Sequence, residues 1–183
     1  RHNCEKSNLK FQVNVKKNLI LLGMMGVGKT TLGKVVAKKC GLKFFDTDEL
    51  IEKKLGMKIV EIFEKKGESF FRAEEEKEVL KSLKKNKCII ALGGGAFLNK
   101  IIRDSILKST QSIWLDTDIK ILCKRIRWTK KRPLLNVENN KSKIYKLYNK
   151  RKNIYKLADH KINCDKLNKS NIAKKIIDLY EKN

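Results

Sequence analysis

A glycine-rich turn between an apolar run and a helical pattern constrains this chain more than any other feature. Residues 23–30 read Gly-Met-Met-Gly-Val-Gly-Lys-Thr, which is glycine, four residues, then Gly-Lys-Thr. An apolar run over residues 19–22 precedes the turn, and a helical pattern over residues 31–40 follows it. Glycines allow a tight turn whose backbone N–H groups face an anion, and the helix N-terminus adds partial positive charge. The stretch therefore predicts a phosphate-binding loop; the alternative is a plain glycine turn before a core helix.

Two side chains at the end of this turn suit a nucleoside triphosphate. Lys29 can reach the outer phosphates, and the Thr30 hydroxyl can hold Mg²⁺. A nucleoside triphosphate with Mg²⁺ is accordingly the expected ligand. The residues expected to contact the nucleotide are Gly26, Val27, Gly28, Lys29, Thr30 and Thr31.

Apolar strands alternate with helical patterns along the chain. Strands are predicted over residues 18–22, 43–45, 88–92, 112–115 and 161–163. Helices are predicted over residues 31–40, 49–55, 73–85, 118–128 and 142–158, with a shorter one from residue 59 and a terminal one capped by Ser170. Right-handed crossovers between such strands give a parallel sheet with helices on both faces, an α/β fold with ligands at the carboxyl ends of the strands.

Length and charge limit the possible classes of protein. The chain has 183 residues and 44 Lys and Arg against 20 Asp and Glu, a net charge of +24. One folded domain is expected over residues 18–183, with residues 1–17 a basic extension or the remnant of a targeting segment. The charge invites a nucleic-acid partner, but its lysines are spread along helices and aromatic residues are only 7%. No specific nucleic-acid partner is therefore expected.

Cysteine spacing and hydropathy bear on location. Five cysteines lie far apart without a Cys-x-x-Cys pair, which favours reduced thiols in the cytoplasm, or in a plastid stroma if the first residues are a targeting remnant. No apolar run approaches the roughly 18–20 residues of a membrane helix, so no membrane partner is expected.

Two aspartates follow the second predicted strand. Asp46 and Asp48 stand two apart, so an extended backbone would point both side chains the same way. One carboxylate could anchor Mg²⁺, and the other could accept a proton from an attacking hydroxyl. Because the strand ending at Leu92 supplies no aspartate, Asp46 is preferred for the metal. The alternative is a purely structural role, in which Asp48 caps the next helix.

Several arginines have positions that suit anionic ligands. Arg151 falls on the apolar stripe of its helix, and Arg72 follows two phenylalanines. Their guanidinium forks match a carboxylate, although an internal salt bridge is the alternative for each. Arg132 lies in a long irregular segment around the only proline, a candidate lid in which a cation could close onto a transferring phosphate. Arg125, at its base, could stack on a nucleobase or be solvated.

These motifs together resemble shikimate kinase from about residue 18 to the end of the chain. In order, they are the phosphate loop, Asp46-Thr47-Asp48, Ile59 to Phe63 with Gly67-Glu68 and Phe71-Arg72, Gly93 to Ala96, Arg132 to Leu135, and Arg151 with Tyr155 and Ala158-Asp159. The resemblance implies phosphorylation of the 3-hydroxyl of shikimate by ATP, in aromatic amino acid biosynthesis. It also implies a monomer with a nucleoside-monophosphate-kinase-like fold, a five-stranded parallel sheet, a substrate-binding region near residues 48–75 and a lid near residues 127–142.

The same resemblance implies a role for each matched residue. Arg72 and Arg151 would hold the shikimate carboxylate, and the backbone of the glycine loop, Gly94 and Gly95, would contact the ring. Asp48 would bind ring hydroxyls and serve as the base. Lys29 and Arg132 would stabilise the transferring phosphoryl group, Thr30 and Asp46 would serve Mg²⁺, and Arg125 would flank adenine.

Two other functions remain open from the sequence. One is a gluconate-kinase-like enzyme, which would need the phosphate loop but neither Arg72 nor Arg151. The other is a basic nucleotide-binding or nucleic-acid-binding module without catalysis, against which Lys29, Asp46, Asp48 and Arg132 argue.

Overall fold

The computed structural model describes residues 17–126 and 140–182. Its centre is a single sheet of five strands, all parallel, in the order β2-β3-β1-β4-β5. The strands are β1 (Leu19–Leu22), β2 (Lys43–Asp46), β3 (Cys88–Ala91), β4 (Gln111–Asp116) and β5 (His160–Asn163). The predicted α/β class and five-stranded parallel sheet are confirmed.

Among the described residues, eight helices and one short 3-10 turn connect and cover the strands. The helices are α1 (Lys29–Cys40), α2 (Thr47–Leu55), α3 (Ile59–Lys66), α4 (Glu68–Leu83), α5 (Lys100–Ser109), α6 (Ile119–Ile126), α7 (Asn140–Tyr155) and α8 (Lys169–Glu181). The 3-10 turn is Ala96–Leu98. Nowhere in the described ranges is a helix both long and apolar enough to cross a membrane.

Strand β1 is the middle of the sheet, and this position explains its composition. It pairs with β3 on one side and β4 on the other, and its residues are at most 1% exposed. A strand covered by helices on both faces must be apolar throughout, as the run over residues 19–22 is. The phosphate loop begins directly after it, at the carboxyl edge of the sheet.

The segment from α2 to α4 has a small core of its own. Ile51, Ile62 and Phe71 are at most 3% exposed and form an apolar cluster separate from the main core. The rings of Phe63 and Phe71 lie 4.8 Å apart, centroid to centroid. This second cluster holds the predicted substrate-binding region over the carboxyl edge of the sheet.

Three details of the predicted elements were wrong. The Glu-rich helix begins at Glu68 rather than at residue 73, directly after Gly67, whose φ of 84° suits glycine. Helix α5 was not predicted at all. Helix α8 is capped by Asn168, whose side chain accepts from the Asn171 N–H at 2.8 Å, so Ser170 lies inside the helix. Asparagine and serine cap helices about equally well, so the sequence could not distinguish the two starts.

Candidate active site

A cavity of about 440 Å³ opens at the carboxyl edge of the sheet. The phosphate loop, the start of α1 and the start of α2 line one part of it. Its other walls come from α4, the glycine loop after β3, and α7. Most of the predicted nucleotide and substrate residues therefore share one cavity, as parallel strands with their carboxyl ends at one edge lead one to expect.

The phosphate loop has the geometry that its glycines predict. Gly23, Gly26 and Gly28 have φ angles of 146°, 80° and 101°. At Gly23 a Cβ atom would also lie 2.5 Å from the Leu115 carbonyl oxygen. Helix α1 then begins at Lys29 without a side-chain cap, which leaves the first N–H groups of the helix to an anion.

The predicted nucleotide contacts divide into two groups. Those that line the cavity are Gly26, Gly28, Lys29, Thr30 and Thr31. Val27 instead packs in the core at 3% exposure, so only its backbone can serve a phosphate. The Lys29 amine donates to the carbonyl oxygens of Gly23 and Met24 at 2.8 and 2.9 Å, which holds it over the loop.

Asp46 joins the phosphate loop to α2. One carboxylate oxygen accepts from the Thr30 hydroxyl at 2.5 Å, and the other accepts from the backbone N–H groups of Asp48 and Glu49 at 3.0 and 3.3 Å. The cap of α2 is therefore Asp46, so the alternative in which Asp48 caps this helix is not found. Paired hydroxyl and carboxylate oxygens beside a phosphate loop are ligands of the kind that Mg²⁺ prefers.

Asp48 reaches the cavity from a helix rather than from a strand. Because α2 begins at Thr47, the predicted strand spacing of the two aspartates does not apply. Asp48 is half-buried in the first turn of α2, and a Cβ atom placed on Gly93 would lie 2.7 Å from its carboxylate. Its carboxylate thus lies beside the glycine loop and faces the same cavity as the phosphate loop.

Arg72 is placed by acidic residues on its own helix. It donates to Glu75 at 2.7 Å, and its Nε lies 3.4 Å from Glu68. The internal salt bridge that was the alternative for Arg72 is therefore present, although Arg72 also lines the cavity. The side chain of Glu75 is 2% exposed, and its second oxygen has no hydrogen-bond partner among the described residues. Glu75 was not predicted from the sequence. Its spacing of three residues from Arg72 on one helix could have indicated the ion pair.

Burial of Glu75 has a consequence for stability. Loss of hydration raises the pKa of Glu75 above its ordinary 4.5, against the opposing effects of the Arg72 charge and hydrogen bond. A carboxyl with a raised pKa in the folded state stabilises the fold below the unfolded pKa, and this contribution is lost as pH rises through the folded pKa.

The raised pKa of Glu75 leads to an expected result for the variant Glu75→Gln. Glutamine keeps an acceptor for Arg72 but does not titrate. The free energy of unfolding of the parent, minus that of the variant, should decrease as the pH is raised from 4.5 towards neutrality. Denaturant unfolding of both proteins across this range measures the difference. A difference that rises with pH would mean that the attraction of Arg72 outweighs the cost of burial.

Arg151 differs from Arg72 in its surroundings. It lies on α7 and is 4% exposed. Within the described ranges it has no carboxylate within 4.0 Å, and its Nη1 is buried without a hydrogen-bond partner. A Cβ atom on Gly94 would lie 2.9 Å from Nη1. The internal salt bridge proposed as the alternative for Arg151 is thus not found among these residues, and a buried cation of this kind suits an anionic ligand.

The glycine loop after β3 fits between the two arginines. A Cβ atom on Gly95 would lie 2.7 Å from the Arg72 guanidinium, and one on Gly94 would lie similarly close to Arg151. Gly93 donates its N–H to the Thr47 hydroxyl at 3.2 Å. Only residues without side chains allow both guanidinium groups to approach this loop so closely.

Arg125 lies beside the phosphate loop, outside the lining of the cavity. Arg125, on α6, approaches the Gly26 carbonyl oxygen with Nη1 at 3.4 Å and is exposed. Arg132 and most of the predicted lid lie outside the described residues, so the role of Arg132 stays a prediction. The last residues of the predicted lid, 140–142, form the start of α7, and the lid itself stays a prediction.

Comparison with known proteins identifies relatives over most of this fold. The family model described as shikimate kinase matches residues 25–181. A shikimate kinase of Bartonella henselae is 42% identical over 159 residues, which are 87% of this chain and 76% of the relative. One of Thermodesulfovibrio yellowstonii is 42% identical over 91% of this chain and 96% of the relative.

A solved structure extends the match to three dimensions. Shikimate kinase from Acinetobacter baumannii in complex with shikimate superposes with a TM-score of 0.87 and 34% identity, covering 91% of this chain and 93% of that one. On this evidence the chain belongs to the shikimate kinase family.

Proposed function

We propose that this protein transfers the γ-phosphoryl group of ATP to the 3-hydroxyl of shikimate, giving shikimate 3-phosphate and ADP, in the biosynthesis of chorismate and the aromatic amino acids. One observation carries the proposal. A single cavity is lined both by a phosphate loop and by two arginines that lie against a glycine loop. Membership of the family supports this substrate over the gluconate-kinase-like and nucleic-acid-binding alternatives.

The two arginines would bind the carboxylate of the substrate. Arg151 brings a buried cation, and Arg72 brings one already oriented by Glu75. Guanidinium groups pair with both oxygens of a carboxylate, which orients the ring as well as holding it. The backbone of Gly94 and Gly95, between the arginines, would then contact the ring.

Asp48 would act as the general base. Its carboxylate accepts the proton of the 3-hydroxyl as that oxygen forms a bond to the γ-phosphorus. The bond from phosphorus to the bridging oxygen of ATP breaks, and its electron pair leaves with ADP. Lys29 and Arg132 would offset the charge on the transferring group, and Arg125 would flank adenine.

Thr30 and Asp46 would hold Mg²⁺, directly or through water. The fit rests on their oxygens, which are 2.5 Å apart beside the first turn of α1. When bound, the ion neutralises phosphate charge and orients the β- and γ-phosphates for in-line attack. The protein's own part is to keep the Asp46 carboxylate aligned through its two backbone hydrogen bonds.

We also propose how the chain is organised around this reaction. Residues of about 48–75 would form the substrate-binding region, residues of about 127–142 the lid, and residues 1–17 an extension outside the kinase domain. A monomer in the cytoplasm remains the prediction from the family resemblance and from the spacing of the cysteines.

A coupled assay of ADP release tests the proposed function. ADP should form in the presence of ATP, Mg²⁺ and shikimate, and hardly at all without shikimate or with gluconate in its place. Turnover of gluconate without turnover of shikimate would contradict the proposal. Salt-sensitive RNA binding without phosphoryl transfer would favour the non-catalytic alternative.

A further inference from the structure

Every carbonyl oxygen of the glycine loop, residues 93–95, is held by a donor of the protein. The first and third carbonyls accept from the backbone N–H groups of Ala96 and Leu98 at 3.1 and 3.2 Å. The middle carbonyl, that of Gly94, accepts from the hydroxyl of Tyr155. Tyr155 is thus the one side chain among these three donors, and it comes from a distant part of the sequence.

Holding the Gly94 carbonyl also orients the next N–H group. A trans peptide points its C=O and N–H in opposite directions, and no cis peptide occurs in the described residues. The Gly95 N–H therefore lies on the side of the peptide opposite Tyr155. It has no acceptor among the described residues, and Gly95 lines the cavity. A backbone donor is left for a ligand there.

This peptide needs an external restraint. Both of its residues are glycines, which rotate about φ and ψ more freely than any other residue. It also lies between two guanidinium groups: a Cβ atom on Gly95 would be 2.7 Å from that of Arg72, and one on Gly94 would be 2.9 Å from that of Arg151. A rotated peptide would present its carbonyl instead of its N–H to a substrate bound by the arginines.

Tyr155 is well suited to act as that restraint. It is 1% exposed, and its ring packs 5.7 Å from the ring of Trp114, centroid to centroid. It follows Arg151 by one turn of α7, so one helix carries both the arginine and the donor to the loop. Burial raises the pKa of Tyr155 to about 12, against the lowering effect of Arg151, so the hydroxyl keeps its proton at physiological pH.

We propose that Tyr155 is a positioning residue: its hydroxyl holds the peptide between Gly94 and Gly95 so that the Gly95 N–H donates to a ring hydroxyl of the bound cyclic acid. The inference rests on the proposed function, since it names a contact of the same substrate site. It assigns Tyr155 no contact with the substrate itself.

Tyr155→Phe tests the inference, because it keeps the ring and removes only the hydroxyl. The KM for shikimate should rise roughly five- to tenfold, the effect of losing one well-oriented hydrogen bond, while the KM for ATP stays within about twofold. Tyr148→Phe is the matched control. It removes a hydroxyl from the same helix, one that donates to Asp116 at 3.3 Å, and should leave the KM for shikimate within about twofold of the parent.

Shikimate analogues that each lack one ring hydroxyl identify the contact. For the analogue without the hydroxyl that Gly95 binds, the parent and Tyr155→Phe should have the same KM. An equal rise in KM for every analogue, or an equal rise for ATP, would mean that Tyr155 acts through the fold or through the neighbouring Arg151, and would overturn the inference. A parent that does not phosphorylate shikimate contradicts the proposed function instead.

A measurement on the parent keeps the inference testable if the variant does not fold. The Gly95 amide resonance of isotopically labelled parent protein should shift on addition of shikimate. An amide resonance that does not move at a saturating concentration would overturn the inference, whatever the behaviour of Tyr155→Phe.

Discussion

Replacing Asp48 with asparagine is expected to lower kcat by a factor on the order of 10² or more and to leave nucleotide binding nearly unchanged. An amide has the size of the carboxylate but cannot accept the proton of the attacking hydroxyl. The change should leave the fold intact, because α2 is capped by Asp46. The cap involves the backbone N–H of Asp48 and not its side chain. Steady-state turnover and titration with ATP measure the two effects separately.

Asp104→Asn is the matched control for this experiment. It makes the same chemical change on α5, where Asp104 is exposed and pairs with Lys100 at 2.5 Å, away from the cavity. Its kcat should equal that of the parent. If Asp48→Asn is as active as the parent, Asp48 is not the base, and another group must take the proton.

Replacing Arg151 with alanine is expected to weaken shikimate binding by roughly 2–4 kcal/mol, a factor of about 30 to 900. The guanidinium is buried, and within the described ranges no carboxylate lies within 4.0 Å of it, so its main partner would be the substrate. The KM for shikimate should therefore rise strongly, while the melting temperature and the KM for ATP should change little. Arg151→Lys keeps the charge without the planar fork and should have an intermediate KM.

Arg103→Ala controls for the loss of an arginine elsewhere. Arg103 donates to the carbonyl oxygens of Phe97 and Leu98 at 3.1 and 3.0 Å, so its loss should lower stability without raising the KM for shikimate. The opposite pattern for Arg151→Ala, a lower melting temperature with unchanged substrate affinity, would support a purely structural role for Arg151.

Short sequence patterns were sufficient to predict those features that depend only on neighbouring residues. The run over residues 19–22 predicted a fully buried strand, and Gly-Lys-Thr after it predicted a phosphate loop at the start of α1. A buried strand must be apolar, and a tight anion-binding turn needs glycine, so both structures can be predicted from the residue types alone. Alternation of strands and helices then led to the parallel sheet and to one ligand edge.

Choices between nearby residues were harder to make from the sequence. Asp46 and Asp48 are chemically identical, and only the start of α2 at Thr47 makes Asp46 its cap. Arg72 and Arg151 were given the same two possible roles. Their surroundings separate them, because Arg72 meets Glu75 on its own helix whereas Arg151 meets the glycine loop.

The sequence by itself determined the phosphate loop, the class of fold and the residue types of the site, because each follows from short-range periodicity and backbone sterics. Tertiary structure alone decided that Glu75 is buried behind Arg72 and that Tyr155 holds the carbonyl of Gly94, 61 positions away. The first is a burial imposed on one helix by its neighbours, and the second joins a helix to a loop at the sheet edge. Their energies depend on burial and on distance in space, which no local pattern of residues records.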